Sequence, residues 1–201
     1  VSTAAPKRVC VRVHYDFASS LCYVAHRAME RLMGAHASDG ISLAWSPVDL
    51  TLLTGWRRGA ELGAERRANV ARVSRELSVP LVMPGVWLDS RPAHAVAVSL
   101  AGERAEAWRE AVFASIYQAG RAPDADLVAE LARELSIDAG PAVQERGREE
   151  LVRLTRAAGD LGVAGVPSFV LGEWPIAGIQ CDATMLSMLS RWAARQREAA
   201  R

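Results

Sequence analysis

Two short segments far apart in the chain carry the residues best suited to chemistry: Ser19-Ser20-Leu21-Cys22 and Val166-Pro167. The first opens a run in which Tyr23, Ala25, Met29, Leu32 and Met33 recur at helical spacing, with Ser19 or Ser20 a natural N-cap. A helix N-terminus presents unpaired N–H groups and a partial positive charge, so it stabilises an anion lying on it. Sulfur responds strongly to that field, because a thiolate held there has a depressed pKa. Two cysteines at these positions would make a dithiol. With Ser19 at the first, no intramolecular disulfide cycle can run. The motif offers Ser19 no adjacent base to make its hydroxyl a nucleophile. Cys22, one turn into the helix, has two readings: a single thiol able to form a mixed disulfide with glutathione, or a small buried residue under Leu21 and Tyr23. Val166-Pro167 opens an apolar run. X-Pro bonds are the ones for which cis is cheap, although on sequence alone a trans proline opening an edge strand is the default.

Other residues carry weaker signals. Trp56, Arg57 and Arg58 form either the wall of a groove that takes an acidic substrate or a solvated loop. His94 reads as structural or exposed, and Asp89 as a minor site candidate. The histidines at 14, 26, 36 and 94 show no metal-ligand spacing with one another or with cysteine, so no metal is expected. Cys10, Cys22 and Cys181 are an odd, sparse set that makes no disulfide framework, and a reducing cytoplasm is the expected compartment.

The elements that must position these residues follow from periodicity. Lys7 to Tyr15 alternates Val9, Val11, Val13 and Tyr15 with polar partners, a strand, and a second strand is expected over Ile41 to Leu50. Strand, helix and strand in this order call for a parallel pair with a right-handed crossover. From Thr54 to about Ala158 the pattern is almost wholly helical, with stripes at Leu62/Val70/Val73/Leu77, Trp108/Val112/Ile116, Leu127/Leu131/Leu135 and Leu151/Leu154/Ala158/Leu161. Strands return at Ser168 to Leu171 and Trp174 to Ala177, and an amphipathic helix follows from about Asp182. Lys and Arg number 24 against 23 Asp and Glu, which gives no electrostatic case for nucleic acid or an anionic membrane. No apolar run reaches the ~20 residues of a membrane span.

This order, with the two motifs in these places, resembles the DsbA-like thioredoxin-fold superfamily, whose branches include disulfide oxidoreductases, kappa-class glutathione transferases and 2-hydroxychromene-2-carboxylate isomerases. Tyr15-Asp16-Phe17-Ala18-Ser19-Ser20-Leu21-Cys22-Tyr23 is similar to the D-x-x-S-P-x-S-[YW] segment of the isomerase and kappa branches, with Ser20 and Cys22 replacing Pro and the second Ser. Gly162-Val163-Ala164-Gly165-Val166-Pro167-Ser168-Phe169 resembles the G-V-x-G-V-P-[TS]-F segment of the whole superfamily. The likeness implies an α/β thioredoxin-like fold (β-α-β … β-β-α). The core would span residues 1–53 and 159–201, split by an all-helical insertion at 54–158. It implies that Ser19 assists a glutathione thiolate and that Pro167 is cis. Val166 would then pair its backbone with the ligand, while Ser20, Ile179, Gln180 and Trp56 line the site. Two departures stand out. Gly55-Trp56-Arg57 lacks the Asn of the glutathione-using branches. Gly178-Ile179-Gln180-Cys181 lacks the Asp of their G-[QS]-D-R segment and looks more like the G-x-Q of the oxidoreductases.

The expected function is a glutathione- or thiol-dependent isomerase or transferase acting on a small molecule. The alternatives are a thiol oxidoreductase working through Cys22 alone and a non-catalytic binding protein. Glutathione is the expected cofactor and a second copy of the chain a candidate partner, with neither nucleic acid nor membrane among the partners.

Overall fold

The computed structural model describes residues 8–200; the expected strand start at Lys7, and residues 1–7 and 201 of the expected core, lie outside them. Strand β1 (Val9–Tyr15) runs through the centre of the molecule, with Val11 and Val13 fully buried. Helix α1 (Ser20–Ala35) crosses to β2 (Ile41–Pro47), which pairs with β1 in parallel. Strand β3 (Ser168–Leu171) pairs antiparallel with β1, and β4 (Trp174–Ala177) antiparallel with β3, giving the order β2-β1-β3-β4. Helix α7 (Asp182–Ala199) closes the chain, burying Met185, Leu189 and Ala193. Among the described residues no helix is long and apolar enough to cross a membrane. The result is a thioredoxin-like sheet interrupted, between β2 and β3, by a helical insertion.

The second strand ends three residues earlier than its apolar run predicts. Beyond Pro47 the chain turns into a 3-10 turn over Leu50–Leu52, because the Asp49 side chain accepts from Thr51 N–H and caps the turn. The insertion comprises α2 (Ala64–Glu76), α3 (Arg91–Ala97), α4 (Gly102–Tyr117), α5 (Ala125–Glu134) and α6 (Pro141–Asp160). It is less continuously helical than the sequence pattern suggests. Residues 78–90 form no helix, and Val86 instead bridges to Glu61; Val79-Pro80 and Pro84-Gly85 break the chain there. Leu62 and Leu77 flank α2 rather than lie on it, while Val70 and Val73 face inward as their spacing requires.

Helices α3 and α6 pack tightly enough that a Cβ placed on Gly147 would come within 2.0 Å of the Ala95 carbonyl oxygen. This contact positions the site, since α3 carries His94 and α6 carries Thr155, whose hydroxyl accepts from the Asp49 N–H at 2.9 Å. Trp108 of α4 is fully buried and donates its indole N–H to the Ala93 carbonyl at 3.0 Å, tying α4 to α3.

Candidate active site

At the end of β1 the chain leaves the sheet through Asp16-Phe17-Ala18 and enters α1 at Ser19. Asp16 is fully buried and organises this turn: its carboxylate accepts from Ala18 N–H at 2.9 Å, Ser90 Oγ at 2.6 Å and Leu50 N–H at 2.9 Å. Burial alone would push this carboxyl up. Hydrogen bonds from His94, Ser90 and Leu50, with the His94 charge when protonated, outweigh burial and hold it below the usual carboxylate range. His94 Nε2 stands 3.1 Å from both the Phe17 N–H and Asp16 Oδ1. It can accept from the first or donate to the second, and the tautomer decides which. His94, structural or exposed on sequence alone, is fully buried at the base of the turn.

Ser19 is the backbone N-cap of α1, accepting from Cys22 N–H at 2.9 Å, but its side chain caps nothing. Its Oγ is buried and has no hydrogen-bond partner among the described residues, although it neighbours the Cys22 thiol and favours that group's ionised form. The first turn of α1 contains no acidic residue. Cys22 is 0% exposed. Burial pushes its thiol up to about 12, an effect that the Ser19 hydroxyl and the Arg66 charge only partly oppose. Ser20 is buried too, its Oγ 3.7 Å from Met83 Sδ. Tyr117 closes the floor, donating to the Phe17 carbonyl at 2.9 Å; burial raises its hydroxyl well above the ordinary tyrosine value.

Facing the helix mouth is the turn into β3. His14 pairs with Ser168, so Pro167 falls one step beyond, level with the end of β1. The Val166–Pro167 peptide is cis. The Pro167 carbonyl accepts from Gly178 N–H at 2.7 Å, which draws Ile179 alongside. Val166, Pro167 and Ile179 are buried, whereas Gln180 is exposed. Ser19, Ser20, Cys22, Val166, Pro167 and Ile179 thus gather at one end of the sheet, with Gln180 at the margin.

Trp56 stacks on Trp87 with ring centroids 5.2 Å apart, and the Arg66 guanidinium lies 4.6 Å from the first ring and 5.0 Å from the second. Among the described residues Arg66 makes no ion pair, and its charge is felt by Cys22, Tyr117 and Asp16. This cation, whose charge reaches Cys22, escaped sequence reasoning, because Arg66 sits in a run of exposed, charged residues on α2. Met83 and Tyr117 gave no signal either. Asp16 did, as the acid three residues before Ser19. Arg58 is committed elsewhere, paired with Asp49 and, at 3.3 Å, with Asp89. Arg57 is exposed.

A family model for the DSBA-like thioredoxin domain matches residues 10–194, and the chain belongs to that family. Among solved structures it is similar to a 2-hydroxychromene-2-carboxylate isomerase, at 21% identity and a TM-score of 0.73 over 96% of this chain and 98% of that one. It is similar to a probable DsbA oxidoreductase from Streptomyces coelicolor, at 20% identity and a TM-score of 0.72 over 91% and 89%. The cytosolic disulfide reductase DsbM from Pseudomonas aeruginosa, solved with GSH, matches at 19% identity and a TM-score of 0.63 over 96% and 99%. No curated protein matches significantly in sequence. At these identities the structural likenesses establish the fold; the chemistry is argued from the residues.

Proposed function

We propose that this protein is a thiol-dependent enzyme of the DsbA family whose working sulfur belongs to a bound ligand, glutathione being the ligand of choice, and that it isomerises or conjugates a small electrophilic molecule. The observation that carries this reading is the Ser19 hydroxyl: buried, at the positive end of α1, and without an acceptor. An unsatisfied buried hydroxyl costs about 1–3 kcal/mol, which an arriving thiolate would recover. Arg66, which makes no direct ion pair among the described residues, adds a second attraction for negative charge. The backbone of Val166 is the natural partner for an extended peptide. That a DsbM structure holds GSH supports the choice of ligand.

Ser19, Ser20 and Cys22 are all closed to solvent, so a ligand reaches them only after a covering segment such as the one carrying Met83 moves aside. A site that admits its ligand by local opening also excludes water from the thiolate once closed. The redox alternative through Cys22 is weaker on physical grounds. A thiol with a pKa of about 12 is ionised to about one part in a hundred thousand at pH 7.

Calorimetry with reduced glutathione tests the proposal. Binding is expected at millimolar ligand or below, weakened about tenfold by Ser19→Ala, the worth of one hydrogen bond to a charged group. Absence of heat at millimolar glutathione would overturn it.

A further inference from the structure

We propose that the cavity between α1, β2 and α4 is a second ligand site, selective for a small molecule with a carboxylate and an amine at opposite ends of an apolar body. The cavity is an open groove of about 520 Å³, within the range of small-molecule pockets, and includes neither Ser19 nor Pro167 among its lining residues. At its wall lies Arg109, only 8% exposed. Its Nε is buried without a hydrogen-bond partner, and among the described residues the guanidinium makes no direct ion pair, although the charges of Glu106, Glu110 and Glu30 reach it; it lies against the face of Trp45, 5.2 Å away. A buried guanidinium is expensive unless an anion meets it, and Arg is built to hold a carboxylate with two parallel hydrogen bonds.

The nearby carboxylates do not fill that role directly. Glu110 is taken by His26 at 2.8 Å and Arg27 at 2.8 Å, and Arg27 also holds Glu30 at 2.9 Å. The ligating atoms of His26, Glu30 and Glu110 come within 4.8 Å of one another, but the Arg27 guanidinium already supplies the positive charge that a metal would bring. Glu103 and Glu106 differ: both are exposed, and among the described residues neither makes an ion pair or side-chain hydrogen bond, though the Glu106 charge is felt by Arg109. They precede Arg109 on α4 by six and three residues, which at 1.5 Å per residue places them about 9 and 4.5 Å along the axis. Met29, Met33 and Leu43 supply the apolar wall. An anion at Arg109, an aliphatic stretch over this wall and a cation at Glu103 and Glu106 describe an ω-amino carboxylate.

The test is a titration of the intact chain with 6-aminohexanoate, hexanoate, hexylamine and zinc, followed by the NMR shifts of the Met29 and Met33 methyls and the Trp45 indole. The site predicts saturable shifts with 6-aminohexanoate and at least tenfold weaker binding of hexanoate and of hexylamine. Arg109→Gln should abolish the shifts, and the surface double variant Glu103→Gln/Glu106→Gln should reduce 6-aminohexanoate to the affinity of hexanoate. The double variant carries the test should Arg109→Gln not fold. No shifts at millimolar 6-aminohexanoate, hexylamine binding as tightly as the amino acid, or zinc binding while the amino acid does not, would each overturn the proposal.

Discussion

Ser19 and Cys22 lie one helical turn apart, and their environments separate their roles. Ser19 offers a hydroxyl with nothing to donate to, while Cys22 is enclosed and held as a thiol. Cys22 should therefore resist alkylation in the native protein and react fully once the chain is unfolded, whereas the exposed Cys10 and Cys181 react at once. A mass shift of three alkyl groups under native conditions would contradict this. The motif itself was legible: a serine in place of a first cysteine can be read without coordinates. Burial could not be read, because it depends on Tyr117, Met83 and Arg66, which arrive from distant parts of the chain. A second residue makes a pH prediction. His14 is buried with neither ring nitrogen hydrogen-bonded, and burial, with the neighbouring Arg12, lowers its pKa from 6.5 to about 4. Its folded pKa lies below its unfolded one, so its contribution to stability is complete above pH 6.5 and is lost as pH falls toward 4. One proton taken up on unfolding gives a slope of at most about 1.4 kcal/mol per pH unit. Urea midpoints between pH 7 and 5 should fall less steeply in His14→Phe than in the parent; equal slopes would remove His14 from the account.

At the scale of elements, the strands and the two flanking helices were legible because their apolar periodicity is strict and their ends carry turn residues. The insertion was legible as helix but not in its packing. Nothing in Gly147 as a letter announces that α3 and α6 meet there, yet a side chain at this position would overlap the Ala95 backbone. Because the obstacle is main chain rather than the end of a flexible side chain, the helices must separate to admit it. Gly147→Ala should cost about 2–3 kcal/mol, more than the roughly 1 kcal/mol that alanine gains over glycine in a helix. A chemical melt measures it, and unchanged or increased stability would show that α3 and α6 are less closely packed. The same displacement would move His94 and loosen its hold on Asp16 and Phe17.

The molecule as a whole joins two parts of different character at one place. The sheet brings the start of α1 and the Val166-Pro167 turn to a common end, and the insertion sets Met83 against Ser20 and brings the Arg66 charge within reach of Cys22. The fold was readable from order and motif together, while the cover was not, since long-range packing leaves no local signature. The central claim is that the enclosed helix mouth stabilises a thiolate the protein does not itself possess. The most direct measurement follows the ultraviolet thiolate absorbance of glutathione against pH with saturating protein, in the parent and in Ser19→Ala. The account predicts a bound thiol that ionises about one to two pH units below the ordinary thiol value, most of that shift disappearing in Ser19→Ala. A thiolate titration indistinguishable from free glutathione, or one unaffected by loss of the Ser19 hydroxyl, would contradict it.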